Sequence, residues 1–274
     1  MNININKKIM FFINEGFKYP QAVARVVQEV ILNKIYHSEF KDKITIKGGL
    51  VLFTISSSNR RTTMDIDIDF IHHSIQDDKI IEMIDLFNKV DDGITIELVF
   101  PIKELKQEDY KGKRITFSLI DSFGNKISNS KIDLGVNNKL FFNQEEYIFE
   151  LKCLDKNVEL LINSKEQIII EKLFSLLKHG IRSTRFKDIY DIYYLLKEKE
   201  ADIYYIYTIL SNKYEELTRI KEIINDILLN EDFKEKASNT KYNWIQVDYN
   251  VIVAFILDFI DEMINIEKSK RIKV

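Results

Sequence analysis

The six residues Asp65-Ile66-Asp67-Ile68-Asp69-Phe70 alternate strictly between carboxylates and large apolar side chains. A period of two marks a strand, so Asp65, Asp67 and Asp69 share one face while Ile66, Ile68 and Phe70 face the core. The acidic face is costly. Same-face neighbours lie ~7 Å apart, where two unit charges repel by roughly 2 kcal/mol at an effective dielectric of ~20, and aspartate is a poor strand former. A solvated edge strand, defended by charge against further pairing, is one way to carry such a face. A divalent-cation site is the other, because Mg2+ is held by one or two carboxylates together with substrate phosphates. On that reading Asp65 and Asp67 are candidate metal ligands, and Asp69 supports or merely decorates the site.

A second strand-like segment, Lys131-Ile132-Asp133-Leu134-Gly135-Val136, has a single carboxylate at its centre. If it lies beside the first, Asp133 completes a three-carboxylate cluster able to hold two metals for in-line phosphoryl displacement. Alone it is an ordinary strand aspartate. Upstream, Lys47-Gly48-Gly49 follows a short strand at 44–46 and opens a helix. Glycines there let backbone N–H groups approach a phosphate, and a helix N-terminus favours negative charge. Most such pairs only make a turn, and this one matches neither the Walker pattern nor the dinucleotide fingerprint.

The alternating period extends over residues 65 to 154, with further strands expected at 94–100, 114–120 and 147–151 and a helix at 77–90. Before it, Pro20 sits just inside an amphipathic helical stripe running from Val23 to Ile35. After Ser164 the pattern is helical. Ser164 with Gln167 reads as a capping box, Gly180 as a helix stop, and further helices are expected at 186–199, 201–211, 214–229 and 247–266. This is an α+β layout: a mixed sheet with flanking helices over 1–154, then a helical domain over 155–274.

Composition narrows the function classes. With 45% hydrophobic residues in 274, the chain has the material for a substantial core, which excludes intrinsic disorder. Forty basic against forty-three acidic residues leave a net charge of -3, so a polyanion is met only by a local basic patch. The single cysteine, Cys153, rules out a disulfide framework and a thiolate cluster and suits a reducing cytoplasm. The apolar runs 9–13 and 251–257 are too short for a secretory core or a membrane span, so a cytoplasmic protein without membrane contact is expected.

The basic patch is at the 180 junction. Lys178, His179, Arg182, Arg185 and Lys187 fall within ten residues and are followed by Asp188 and Asp191. They suit a triphosphate or an RNA backbone, or else an exposed helix corner with surface ion pairs. Lys172, in Glu171-Lys172, sits on a turn otherwise rich in Ile and Leu, where a locally paired, snorkelling lysine is the commoner outcome. Tyr190, Tyr193, Tyr194, Tyr204, Tyr205 and Tyr207 read mostly as packing, with room for one or two to stack a base. The histidines His37, His72, His73 and His179 have no metal-ligand spacing, and no acyl-transfer motif occurs.

In order, these segments resemble the four motifs of the AbiEii/AbiGii toxin family of nucleotidyltransferases. Lys47-Gly48-Gly49-Leu50 with Arg61-Thr62-Thr63-Met64-Asp65-Ile66-Asp67 is similar to the first, and Lys131-Ile132-Asp133 to the second. Glu171-Lys172-Leu173 is similar to the third, and the run Arg182 to Asp191 to the fourth. The resemblance spans roughly residues 20 to 200 and implies a polymerase-β-like fold. It also implies a toxin of a toxin–antitoxin or abortive-infection system that uses a nucleoside triphosphate with Mg2+, two ions being expected. Some members extend the 3′ end of tRNA, which makes RNA the expected acceptor and a cognate antitoxin an expected partner. By position, Asp65 and Asp67 would bind metal, and Asp133 would be the third carboxylate. Lys172 would contact nucleotide phosphate, and Asp188 or Asp191 would be the late-motif acid. Lys47, Gly48 and Gly49, with Arg182, Arg185 and Lys187, would hold phosphates or the acceptor. The wider superfamily carries Gly-Ser where this chain has Gly48-Gly49, so one serine hydroxyl is absent. Transfer of a nucleotide to a protein hydroxyl, and nucleotide or partner binding without turnover, are the alternative functions.

Overall fold

The computed structural model describes residues 3–71, 74–105, 112–136, 143–198, 201–214, 216–239 and 241–271. His72 and His73 lie outside these. The chain divides into two units, Met1–Asn163 and Ser164–Val274.

The first unit opens with α1 (Ile5–Asn14), whose N-terminus is capped by the Asn4 side chain accepting from the Lys7 N–H. In α2 (Tyr19–Tyr36) proline occupies the first turn, where a missing N–H costs no intrahelical bond. Nearly all of α2 from Ala22 onward is buried, including three charged side chains, each paired. Arg25 bonds Glu29 at 3.1 Å and lies 4.4 Å from the Phe53 ring centroid. Lys34 bonds Asp92 at 2.6 Å and donates to the carbonyls of Val90 and Ile94. Glu29 also accepts the backbone N–H of Cys153 at 2.8 Å. Burial, then the neighbouring Glu29 charge, raises the Cys153 thiol far above its ordinary value, which makes it a packing residue rather than a nucleophile.

Then follow β1 (Ile44–Lys47), α3 (Gly48–Ser56), β2 (Ile66–Phe70), α4 (Asp77–Asn88), β3 (Ile94–Leu105), β4 (Gly112–Asp121), β5 (Lys126–Val136), β6 (Glu145–Leu151) and β7 (Lys156–Ile162). They form one seven-stranded mixed sheet in the order β3-β4-β5-β2-β1-β7-β6. The carboxylate strand β2 is therefore central, paired antiparallel to β1 and parallel to β5. An edge strand is excluded. The core side of this centre is made by Ile44, Ile46, Ile66, Ile68, Phe70, Ile132 and Leu134, all buried. In register, Ile46 faces Ile68 and Ile66 faces Ile132.

Three elements go beyond the sequence reading. α1 is formed where only a short apolar run stood out. Residues 156–162, which the sequence reading assigned to the helical domain, are strand β7, parallel to β1 and antiparallel to β6. In the second unit α9 (Glu231–Ala237) was not anticipated.

The second unit contains α5 (Lys165–His179), α6 (Lys187–Glu198), α7 (Ile203–Lys213), α8 (Leu217–Leu229), α9 and α10 (Tyr249–Arg271). Ser164 accepts the Gln167 N–H as the N-cap of α5, but the Gln167 side chain donates to Glu171. Gly180 ends α5 at φ +54°. Tyr190, Tyr193 and Tyr207 are buried, as packing requires, while Tyr204 and Tyr205 are exposed. No helix among the described residues is long and apolar enough to cross a membrane.

Candidate functional site

Strand register aligns four charged side chains in one row across the middle of the sheet. Arg114 on β4 is opposite Asp133 on β5, Asp133 is opposite Asp67 on β2, and Asp67 is opposite Lys47 on β1. Register partners project to the same face, and adjacent strands are ~4.8 Å apart. Two carboxylates therefore stand side by side between two cations. At ~5.5 Å and an effective dielectric of ~20, the Asp67–Asp133 pair alone repels by about 3 kcal/mol. Asp65, one step before β2, is exposed, and Asp67 is half-buried.

The two cations are engaged differently. Arg114 grips Asp133 with both arms, Nε to Oδ1 and Nη2 to Oδ2, each at 2.6 Å. Hydrogen bonding to Asp133 holds the guanidinium above its ordinary pKa, with the charges of Asp133, Asp65 and Asp67 adding to it. Lys47 reaches diagonally to Asp69, Nζ to Oδ1 at 2.6 Å, and Asp69 is almost wholly buried. Asp69 is thus a support for Lys47. It anchors the lysine at the start of α3 and leaves the outward carboxylates to Asp65 and Asp67.

The glycine pair fits under this row. Gly48 has φ +67°, and a Cβ on it would stand 2.3 Å from Oδ2 and 3.0 Å from Cγ of Asp67. The chain can turn from β1 into α3 beside the carboxylate only where no side chain exists. At Gly49 a Cβ would stand 2.8 Å from Oγ1 of Thr63 and 3.4 Å from Nη1 of the buried Arg61. Thr63 fills the space that a serine at 49 would need, and its hydroxyl lies against the first turn of α3. Thr63 was read only as part of the first motif, with no role of its own, and Arg114 did not stand out in the sequence. For Arg114 the only signal was its place on an alternating strand, which carries no information about its partner.

Among the described residues no three His, Cys, Asp or Glu side chains are arranged to hold a metal ion between them. Both oxygens of Asp133 are turned to Arg114. The donor set itself suits a hard divalent cation, being all carboxylate oxygen.

The second unit has its own charged centre. Lys172 on α5 is buried, with Nζ 2.6 Å from Oδ1 of Asp188 and 2.8 Å from Oδ2 of Asp191 on α6. Asp191 is fully buried and accepts the Trp244 indole N–H at 3.0 Å. Asp188 is also 3.0 Å from Nε of Arg185. So the third and fourth sequence motifs, separated along the chain, meet through this network. Arg182 and Arg185 are exposed, and Lys187 is half-buried beside them.

The family model for the nucleotidyl transferase AbiEii toxin, of a type IV toxin–antitoxin system, matches residues 30–259. A crystal structure of a candidate nucleotidyltransferase from H. pylori superposes with a TM-score of 0.52 at 15% identity, covering 90% of this chain and 95% of its own. That likeness concerns the fold. JHP933 from Helicobacter pylori is 14% identical, with a TM-score of 0.44 over 89% of this chain and 94% of its own. An antigenic nucleotidyltransferase-like protein from Paracoccidioides brasiliensis is 16% identical, with a TM-score of 0.39 over 62% of this chain and 73% of its own. At those scores the last two add nothing to the fold assignment. No curated protein matches the chain.

Proposed function

Starting from the fact that the chain belongs to the AbiEii nucleotidyl transferase toxin family, and so is a toxin-type nucleotidyltransferase, we propose that it transfers a nucleotide from an NTP to the 3′ hydroxyl of an RNA, with tRNA the first candidate. The observation that carries this reading is the in-register row in which Asp133 and Asp67 lie side by side, with Gly48 pressed against Asp67. An acidic centre beside a glycine-opened helix N-terminus suits a cation–phosphate substrate, which brings the compensating charge.

Asp65 and Asp67 are proposed to hold Mg2+, with Asp133 as the third carboxylate. The ion, when bound, supplies charge neutralisation at the phosphoryl group and a lower pKa for the attacking hydroxyl. Two ions are the expected number. The protein's own groups do the rest. The backbone at Gly48 and Gly49 and the Thr63 hydroxyl orient the phosphates, and Lys47, fixed by Asp69, places positive charge beside them. Lys172 is proposed as a phosphate contact, held in place by Asp188 and Asp191, and Arg182, Arg185 and Lys187 offer charge to phosphates or to the acceptor backbone. Asp191 is proposed as a positioning residue, because it is fully buried against Trp244. Asp188 is proposed as the late-motif acid.

The test is incubation with each α-labelled NTP, Mg2+ and total cellular RNA, resolved on a denaturing gel, with Asp65→Ala as control. A labelled RNA band from the parent protein, absent with the variant, is expected. Label found only on protein would move the acceptor to a polypeptide hydroxyl, and an unaltered band with Asp65→Ala would contradict the carboxylate mechanism.

A further inference from the structure

The Arg114–Asp133 clamp has two properties that the buried ion pairs Lys34–Asp92 and Lys172–Asp191 lack. The first is accessibility. The Arg114 side chain is 37% exposed and that of Asp133 22%, whereas Lys34–Asp92 is 0% and 7% and Lys172–Asp191 is 6% and 0%. The two buried pairs cannot be opened without leaving an unpaired charge in the core. The exposed clamp can be, because water and ions reach both partners and such a pair contributes little net stability. The second is position. Arg114 does not face Asp133 alone. The fields of Asp65 and Asp67 also act on it, and it stands in register one strand beyond Asp133 in the same row as Asp67.

From these we infer that Arg114 is an internal competitor for the carboxylate row: it occupies Asp133 until a divalent cation enters, and the exchange releases its guanidinium to take a phosphate of the incoming nucleotide. The inference rests on the reading of Asp65, Asp67 and Asp133 as cation ligands. The charge accounting is simple. A divalent ion carries two positive charges where the guanidinium carries one, and it is proposed to bridge the carboxylates, while Arg114 hydrogen-bonds to Asp133. The displaced group is not wasted. Its planar fork fits phosphate oxygens with the same two-pronged geometry that it now offers to a carboxylate. Arg114 stands in the same row as Asp67, which touches Gly48 at the start of α3. The device keeps Asp133 paired at rest and ties full assembly of the site to the arrival of both cation and phosphate.

The competition is measurable without turnover. Mn2+ binding, followed by the loss of the free-ion electron paramagnetic resonance signal, is compared for the parent protein, Arg114→Gln, Arg114→Lys and Asp133→Asn, with circular dichroism confirming the fold of each. Arg114→Gln, which abolishes the charge and the fork, should bind Mn2+ at least about tenfold more tightly, or ~1.4 kcal/mol. Arg114→Lys, which retains the charge without the fork, should fall between. Asp133→Asn should bind more weakly than the parent. If the parent and Arg114→Gln bind Mn2+ equally, or the variant binds more weakly, the competition is refuted while the metal reading stands. If neither takes up Mn2+, the metal reading fails and the inference with it. Binding of a non-hydrolysable nucleotide analogue in the presence of Mn2+ should weaken in Arg114→Gln; unchanged affinity would overturn the phosphate half of the inference.

Discussion

Gly48→Ala tests the packing of the loop against the acidic row. The new side chain meets two separate penalties. Position 48 has φ +67°, and a residue with a Cβ loses roughly 1–2 kcal/mol in the left-handed region. The Cβ would also stand 2.3 Å from Oδ2, 3.0 Å from Cγ and 3.2 Å from Cβ of Asp67, so rotating the carboxylate away does not relieve the overlap. Overpacking of this kind costs about 1–3 kcal/mol. The single variant should therefore lose about 2–5 kcal/mol in urea unfolding, with the backbone part independent of Asp67 and the steric part not. In a double-mutant cycle, Asp67→Ala removes the carboxyl group, so Gly48→Ala in that background should cost about 1–2 kcal/mol less than in the parent. Additivity within about 0.5 kcal/mol would show that the carboxylate does not lie against Gly48, and the geometric basis of the site would fall.

Lys172→Met should destabilise the protein by about 3–5 kcal/mol in denaturant unfolding, because Asp188 and the fully buried Asp191 lose their shared cation. Lys172→Arg should recover part of that. The pH dependence of stability has a defined contributor in Asp121. Burial pushes its carboxyl up, but the Asn125 side chain and the backbone N–H groups of Ile5, Asn125 and Phe123 outweigh that and hold it below the ordinary 3.8. A lowered folded pKa gives stability that is present above the unfolded value and is lost as pH falls through the folded one. Asp121→Asn should thus be less stable than the parent by about 2 kcal/mol at neutral pH, and the difference should shrink below about pH 4; a constant difference would refute the assignment.

Much of the acidic face could be read from the chain, because alternation in β2 dictates which side chains share it. What alternation cannot give is strand neighbours. Asp67 and Asp133 meet through a parallel pairing of strands far apart in sequence, with β3 and β4 formed in between. The resemblance put both aspartates in one site without indicating their register. Arg114 went unnoticed for the same reason, since its meaning depends entirely on the residue across the ladder. Strand β7 was missed because Leu160-Leu161-Ile162 is a continuous apolar run next to a helix cap, and such a run has no period of its own. Lys172 was ambiguous in an apolar turn, and its partners belong to the next helix. The space left at Gly49 for Thr63 depends on side-chain packing between two loops, which no spacing rule records.

The central claim is that the carboxylates of one sheet row carry nucleotidyl transfer. Single-turnover incorporation of labelled nucleotide by Asp67→Asn, a near-isosteric change that abolishes one charge, addresses it most directly, with circular dichroism showing that the variant keeps the fold. The account predicts a fall in the transfer rate of at least about a thousandfold, on the order of 4 kcal/mol of barrier. A rate within tenfold of the parent would contradict it.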